Sequence, residues 1–349
     1  MNFQYYCPEC KNELVEIKKE LTCSSCQNQY IYKNNYVVFK NNNLLKKSDE
    51  DKKIKILLKK IKIKNFEDGV NEFLKLNNEF EYKLKNTQYD KSIDTIFHSI
   101  GNNNLRCLDI KSELGNRSEI LSKIFKQVYS IECNEDYVEV QKKRFTERKC
   151  NNITISNSDT LKLPFKDNFF DLILCNGILD NTKKISNEND QYKIQEQLIK
   201  ELKRVTSEKG TIIFGVNNTN INTKFKKVLK NSKCLKQNFS DYISILENNE
   251  LIVNPLWALP SYDQPFYSGE INNNISLKSF FRNISIFMSS FRGGKRQNRI
   301  KEFMLLFFKK INYPFIRNML EIFSPSFVFC CSKNENLDSI VNLIKKETG

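Results

Sequence analysis

The feature that most constrains the fold is a regular alternation of apolar strands and amphipathic helical stretches that begins near residue 105. Strand patterns occur at "LRCLDI", "VYSIE", "ITISNSD", "FDLILCNG" and "GTIIFGV". Between them, stretches such as "SEILSKIFKQ", "EDYVEVQKKRF" and "YKIQEQLIKELKRV" repeat apolar residues at helical spacing. This order predicts an α/β fold with a doubly wound parallel sheet. Ligands of such sheets bind beyond the carboxyl ends of the strands, so the residues that close each strand are the site candidates.

Between about residues 105 and 217, the predicted strands end in polar residues that form an ordered series of motifs. The series runs through "LDIKSELGNRS", "VYSIECNEDY", "SNSDTLKLPFKDNFFDLIL", "LCNGILDN" and "LKRVTSEKGTIIFGVNN". In this order the motifs resemble those of class I S-adenosylmethionine-dependent methyltransferases, specifically a methyltransferase type 11-like domain. The resemblance implies a Rossmann-like sheet of seven strands, the last one antiparallel.

The resemblance also implies roles for individual residues in holding S-adenosylmethionine. Asp109 closes the first strand before the glycine-rich turn, and Glu132 closes the second, where the family holds both ribose hydroxyls. Asp159 would lie near the exocyclic amine of adenine with Thr160 beside it, and Asn176 beside the methionine part. The chemistry supports the role of Glu132, because one carboxylate can accept hydrogen bonds from both hydroxyls of a vicinal diol.

The turn after the first strand departs from the family pattern. Lys111, Glu113 and Gly115 stand at the three glycine places, so only Gly115 is kept. A Cβ at such a place costs strain or distance, and the two charged side chains must point away, pair with each other or intrude on the methionine pocket. We expect the site still to bind the cofactor, but more weakly than an intact glycine turn would, and a glycine at both places to tighten binding about tenfold. The missing G-x-G-x-x-G and the "LPF...FFDLIL" segment argue against a nicotinamide dehydrogenase.

Two CxxC pairs near the amino terminus form a second motif. "CPEC" supplies Cys7 and Cys10, and "CSSC" supplies Cys23 and Cys26. Each pair can aim two thiolates at one tetrahedral zinc ion, so the spacing predicts a small structural zinc ribbon without a catalytic role. We expect Cys23→Ser to loosen the first forty residues and to leave the sheet folded.

The domain organisation follows from these motifs and from shifts in composition. "NNNLLKKSDEDKKIKI" is polar and typical of a linker, and the single histidine, His98, lies in a helical pattern where a packing or surface role is expected. The predicted units are a zinc ribbon over 1–40, a linker and leading helices over 41–100, the methyltransferase core over 101–264, a helical insertion over 265–323, and the last strand with a carboxyl-terminal helix over 324–349.

The predicted insertion is aromatic and basic. Between residues 278 and 318 there are ten Lys or Arg and one acid, Glu302, and apolar residues such as Phe280, Phe287 and Phe303 recur at helical spacing. Such helices can pack on the sheet, lie on an anionic membrane or bind RNA phosphates. We expect the insertion to form a lid over the acceptor site.

The sequence therefore predicts transfer of a methyl group from S-adenosylmethionine to an oxygen or nitrogen of a small-molecule or glycan-type acceptor. "LPSY..P" resembles a subset of these enzymes from glycan gene clusters. The predicted zinc ribbon and the net charge of +15 suggest an RNA methyltransferase as one alternative, and the altered turn suggests a non-catalytic member of the fold as the other. Asp180, Tyr262 and Asp263 are candidates for a general base by position only, so the catalytic residues stay unassigned. Without a long apolar run or a signal-like amino terminus, a cytoplasmic protein is expected, with possible contact to a membrane surface.

Overall fold

The computed structural model describes residues 5–17, 20–33, 36–39, 49–84, 105–181, 188–218, 237–259, 267–270, 321, 324 and 326–334. His98, Tyr262 and Asp263 lie outside the described residues, as do residues 271–320 and 335–349 and the side chain of Asp180. No helix in the described ranges is long and apolar enough to cross a membrane.

The described strands join into one twelve-stranded sheet. In chain order they are β1 (Leu14–Ile17), β2 (Glu20–Cys23), β3 (Gln29–Lys33), β4 (Tyr36–Val38), β5 (Arg106–Ile110), β6 (Gln127–Glu132), β7 (Ile153–Asn157), β8 (Phe170–Asn176), β9 (Thr206–Asn217), β10 (Ile252–Leu259), β11 (Tyr267–Glu270) and β12 (Ser326–Ser332). The α-helices in the same ranges are α1 (Asp49–Ile63), α2 (Phe66–Leu74), α3 (Glu81–Leu84), α4 (Asn116–Leu121), α5 (Glu135–Glu147), α6 (Ile178–Asn181), α7 (Glu188–Val205) and α8 (Phe239–Asn248).

The predicted seven-stranded core is confirmed, in the order β7-β6-β5-β8-β9-β12-β10. Neighbours from β7 to β9 pair in parallel, and β12 is antiparallel to both β9 and β10. The sheet continues beyond β10 through β11, a strand inside the segment predicted as a helical insertion. β9 begins at Thr206 directly after α7 ends at Val205, four residues before the predicted strand pattern "GTIIFGV". Because the neighbouring strands β7, β6, β5 and β8 are parallel, their carboxyl ends lie side by side.

The ribbon strands are part of this sheet and are not a separate layer. β4 pairs in parallel with β7, with Val37 opposite Ser156 and Val38 opposite Asn157. The buried ring of Tyr5 lies 5.2 Å from that of Phe39 and 5.6 Å from that of Phe165, measured between centroids. Since Tyr5 and Phe39 belong to the same apolar cluster as the core strands, the ribbon shares its core with the methyltransferase sheet.

Helices α1 and α2 form a hairpin that packs on α5. Their buried apolar residues cluster with Tyr137 and Val140 of α5 and with Leu114 in the turn after β5. A Cβ on Gly69 of α2 would lie 2.8 Å from Cγ2 of Ile61 and 2.9 Å from its Cα, so the hairpin needs glycine at this crossing. The leading helices thus support the turn from outside the sheet.

Candidate cofactor site and cysteine cluster

The turn after β5 has a glycine-like backbone at all three expected places. Lys111, Glu113 and Gly115 have φ values of 55°, 48° and 78°. A non-glycine residue in this left-handed region costs about 1–2 kcal/mol, so the turn is strained at two positions. Nζ of Lys111 lies 3.4 Å from Oε1 of Glu113, so the two side chains pair with each other. Both are partly exposed, and such a pair contributes at most about 1 kcal/mol.

Gly115 is required for space as well as for conformation. A Cβ at this position would lie 2.6 Å from Cζ of Phe145 and 3.0 Å from Cγ of Gln141. Gly115 is also the N-cap residue of α4, the helix that follows the turn. The third glycine place therefore tolerates no other residue without movement of α5.

Asp109 lies at the end of β5 with a fully buried carboxyl group. Its Oδ2 accepts a hydrogen bond of 2.6 Å from Oγ of Ser118, and Nε of Arg117 lies 3.8 Å from Oδ1. Within the described residues, no hydrogen bond reaches Oδ1. Burial raises the pKa of Asp109, and the charge of Arg117 partly offsets this. The foot of the turn therefore offers one buried acceptor oxygen to an additional donor.

Glu132 closes β6 beside this turn and is also buried. Its Oε2 accepts from the backbone N–H of Glu113, and its Oε1 from that of Asn134, both at 3.0 Å. The thiol of Cys133 is a third, weaker donor to Oε1 at 3.4 Å. A carboxylate oxygen can accept two hydrogen bonds, so Oε2 has one lone pair left. Burial raises the pKa of this carboxyl group.

The other predicted cofactor residues lie at the ends of the flanking strands. Asp159 follows β7, where its Oδ1 accepts from the N–H of Leu161 at 3.0 Å, and the partly buried Thr160 is next in the chain. Asn176 is buried at the end of β8. The following residue, Gly177, has a φ of 65° and donates its N–H to the carbonyl of Gly215 at 2.8 Å. The two segments flank the β5–β6 pair on either side.

Sequence reasoning missed a buried polar group beneath the turn. Its members are Ser112, Ser118, Ser130, Gln141 and Arg144, all almost inaccessible to solvent. Arg144 forms a buried ion pair with Glu119 at 2.7 Å. The run "QKKRF" is typical of an exposed helix face, so it gave no signal that its first and fourth residues point into the protein.

The four amino-terminal cysteines come together around one point. Their Sγ atoms all lie within 4.8 Å of one another, with 3.5 Å between Cys7 and Cys26 and 3.3 Å between Cys10 and Cys23. Each CxxC is followed by a left-handed residue, Lys11 with a φ of 61° and Gln27 with a φ of 59°. The N–H of Lys11 bonds the carbonyl of Cys7 at 2.8 Å, and that of Gln27 bonds the carbonyl of Cys23 at 3.2 Å. The same tight turn is therefore built twice.

The geometry and chemistry of this cluster fit a zinc ribbon. Thiolates about 2.3 Å from a tetrahedral zinc ion lie about 3.8 Å apart, close to the spacing found. The side-chain amide of Asn12 is 3.5 Å from Sγ of Cys10, and its hydrogen bond is the main cause that lowers the pKa of this thiol to about 6. A thiolate is the form that binds metal.

The strand order, the reversed β12 and the strained turn at the end of β5 define the class: a Rossmann-like methyltransferase fold. Residues 108–214 match the family described as the methyltransferase domain. No curated protein matches the sequence.

Several solved structures are similar in fold. YcgJ from Bacillus subtilis is 16% identical, with a TM-score of 0.39, over 68% of this chain and 94% of that one. An S-adenosylmethionine-dependent methyltransferase from Clostridium acetobutylicum is 17% identical, with a TM-score of 0.42, over 54% and 92%. Phosphoethanolamine N-methyltransferase 2 from Haemonchus contortus is 15% identical, with a TM-score of 0.41, over 74% and 60%.

Proposed function

We propose that the protein transfers a methyl group from S-adenosylmethionine to an oxygen or nitrogen of a small-molecule or glycan-type acceptor. The observation that carries the proposal is the carboxylate of Glu132, which is buried at the end of β6 within the matched methyltransferase domain. The carboxylate accepts a hydrogen bond from the turn after β5 and keeps a lone pair on Oε2 for a ligand hydroxyl. This arrangement suits a ribose diol better than a metal or a phosphate.

The cofactor would be held by the residues at the strand ends. Glu132 would accept from the ribose hydroxyls, and the weak thiol donor on Oε1 is readily displaced by a hydroxyl. Oδ1 of Asp109 would accept from an ammonium group of the methionine part, which supplies the donor that this buried oxygen lacks among the described residues. Asp159 and Thr160 would contact adenine, and Asn176 the methionine end.

The chain's own residues have a limited chemical task. When bound, S-adenosylmethionine supplies a methyl group that is already electrophilic. The protein orients the two reactants and excludes water, and a general base is optional. We assign no catalytic base.

Calorimetry with S-adenosylmethionine and S-adenosylhomocysteine tests the cofactor site. We expect the natural protein to bind both, and Glu132→Gln to weaken binding at least tenfold because the amide replaces one acceptor oxygen by a donor. Asp171→Asn is the matched control, since Asp171 accepts from the backbone N–H of Arg106 at 2.9 Å at the opposite end of the strands. Absence of binding at millimolar cofactor would instead support the non-catalytic alternative.

Our candidate for the acceptor side is the insertion predicted over residues 265–323, of which residues 271–320 are deleted in the test. We propose that this basic, aromatic segment covers the methyl end of the cofactor, and that its deletion spares cofactor binding but abolishes transfer. The deletion begins after Glu270 because β11 pairs with β10. Methyl-labelled cofactor incubated with separate glycan, lipid and RNA fractions identifies the acceptor class. Normal transfer by the deletion variant would overturn the lid.

We propose that Cys7, Cys10, Cys23 and Cys26 bind one structural zinc ion per chain. The converging thiols support this assignment. Elemental analysis of protein purified without chelator should give one zinc per chain. A value far below one would exclude it.

RNA remains the second acceptor class, supported by the net charge of +15. An RNA complex should lose affinity steeply as salt rises, and weak binding that ignores salt would count against it. We also propose a cytoplasmic location with peripheral contact to anionic membrane through the basic segment 278–318. Liposome flotation tests this contact, because equal binding to neutral and anionic vesicles would exclude an electrostatic attraction.

A further inference from the structure

Two buried residues of α5 hold the carbonyl groups of the strained turn. Nε2 of Gln141 donates a hydrogen bond of 2.6 Å to the carbonyl of Glu113 and another of 2.8 Å to Oγ of Ser112. One turn further along α5, Nη1 of Arg144 lies 3.4 Å from the carbonyl of Leu114. The helix therefore contacts two successive peptide groups of the turn with side-chain donors.

The backbone of Glu113 is fixed from both sides. Its N–H donates to Oε2 of Glu132 at 3.0 Å, and its carbonyl accepts from Gln141 at 2.6 Å. With a φ of 48°, Glu113 has a backbone conformation that side chains other than glycine disfavour. These two hydrogen bonds oppose its relaxation out of that conformation.

Gln141 is itself held in one orientation by a buried network. Ser130 can donate to Oε1 of Gln141 at 2.9 Å, and Ser112 to the carbonyl of Ile131 at 3.2 Å. Ser118 lies 3.1 Å from Ser130 and donates to Asp109. Gln141, Ser118 and Ser130 have no solvent exposure, so a rotated amide would leave buried polar groups unpaired. The network thus connects the turn to the carboxylate of Asp109.

We propose that Gln141 is a positioning residue for the cofactor, which keeps the non-glycine turn in its binding conformation. The inference rests on the proposed function, because it assigns a role toward the same cofactor site. Without the amide of Gln141, Glu113 relaxes toward negative φ, and the binding-competent fraction of the protein falls. The apparent Kd rises in proportion to that loss. A turn with glycine at both places populates the left-handed region unaided and needs Gln141 less.

A double-mutant cycle tests this dependence. Gln141→Met, which keeps the volume and removes the amide, is combined with the paired change Lys111→Gly and Glu113→Gly. The Kd for S-adenosylhomocysteine and the Tm are measured for all four proteins. We expect Gln141→Met to weaken binding at least tenfold with the natural turn and less than threefold with the glycine turn.

Asn152→Ala provides the matched control. Asn152 also donates its side-chain amide to backbone carbonyls, those of Ser122 and Phe125, both at 2.8 Å, but at the opposite end of the sheet. It should lower the Tm and leave the Kd unchanged with either turn. If Gln141→Met does not fold, Ser130→Ala removes the donor to Oε1 of Gln141 and should show the same dependence on the turn, at least threefold against no change.

The outcomes separate the inference from the proposed function. An equal loss of affinity with both turns, or a lower Tm without loss of affinity, would give Gln141 a merely structural role and overturn the inference. A natural protein that binds no cofactor at millimolar concentration would overturn the proposed function, and the inference with it.

Discussion

Lys111 and Glu113 are the two strained residues of the turn after β5. Both have left-handed backbones, both lie where the family has glycine, and they form an ion pair of 3.4 Å. Hydrogen bonds from α5 and to Glu132 already fix this conformation in the free protein. The free-energy cost of the strain therefore lowers mainly the stability of the fold and has little effect on cofactor affinity. The structure therefore reduces the tenfold gain in cofactor affinity that the sequence alone predicts for a glycine turn.

The paired change Lys111→Gly and Glu113→Gly tests this distribution. We expect the free energy of unfolding to rise by about 1 kcal/mol, since relieved strain exceeds the added chain entropy and the lost surface ion pair. Cofactor binding should tighten by no more than about threefold. Urea unfolding and calorimetry measure the two effects. A gain in affinity without any gain in stability would mean that the strain is imposed on binding.

The buried carboxyl of Glu132 predicts a pH dependence with opposite signs for binding and stability. Burial raises its pKa above the ordinary value of 4.5, so it takes up a proton at a higher pH than an exposed glutamate. Lowering the pH through this raised pKa should weaken cofactor binding, because the protonated group loses acceptor capacity. The same protonation should stabilise the free fold, since the stability contributed by a raised pKa is present at low pH and lost as pH rises.

Calorimetry and thermal unfolding across this pH range measure both trends in the natural protein. In Glu132→Gln the loss of affinity on acidification should be smaller, and what remains would come from Asp109, whose pKa is raised by the same cause. The effect of Glu132 on stability is read from the difference between the two proteins, because carboxyl groups with a lowered pKa, such as those of Glu72 and Glu201, lose stabilising interactions in both as pH falls. An equal loss of affinity in both proteins on acidification would show that another group controls binding.

At the scale of elements, local patterns predicted five of the core strands and the carboxylates that close β5 and β6, because apolar runs and strand length are visible in the chain itself. The seven-stranded order, with its antiparallel last strand, came from the family resemblance. The pairing of β4 with β7 could not be predicted, since Val37 and Ser156 are far apart in sequence. β4 has only three residues, and so short a strand has no sequence pattern that indicates which strand it pairs with. Gln141 was missed for a similar reason: its burial depends on the packing of α5 against the turn.

The crossing of α1 and α2 depends on one small residue. Gly69→Ala should destabilise the protein by about 1–3 kcal/mol, because the new methyl overlaps Cα and Cγ2 of Ile61 and separates the helices. The usual gain in helix propensity from glycine to alanine is smaller than this cost. Asn71→Ala at an exposed position of the same helix should be neutral or slightly stabilising. Urea unfolding measures both, and a stabilised Gly69→Ala protein would show that the hairpin adjusts freely.

At the scale of the whole molecule, the cysteine cluster supports more than its own forty residues. The ribbon strands extend the sheet through the pairing of β4 with β7. Lys11, directly after the first CxxC pair, donates a hydrogen bond to Glu201 of α7 at 2.8 Å. Because the ribbon and the methyltransferase strands share one apolar core, loss of the ribbon structure should also destabilise those strands. The sequence alone had suggested an independent unit, because the CxxC spacing describes a metal site and not its neighbours.

Cys23→Ser should therefore lower the free energy of unfolding by at least about 3 kcal/mol. Hydrogen exchange should show loss of protection in β7, next to the ribbon, while β12 on the other side of β9 keeps its protection. Cys150→Ser, at a partly buried thiol outside the cluster, is the control. Unchanged protection in β7 would show that the ribbon folds and unfolds alone.

The parallel pairing of β4 with β7 also has a consequence for solubility. Without the ribbon, β7 would end the sheet and present a row of unsatisfied backbone donors and acceptors, a template on which other chains can aggregate. The ribbon moves the terminal strand of this side to β1, which has only four residues and a charged Glu16. A chain that starts at residue 49 would therefore not be a minimal soluble enzyme. We expect it to accumulate as aggregates, because the ribbon strands protect the edge of the sheet.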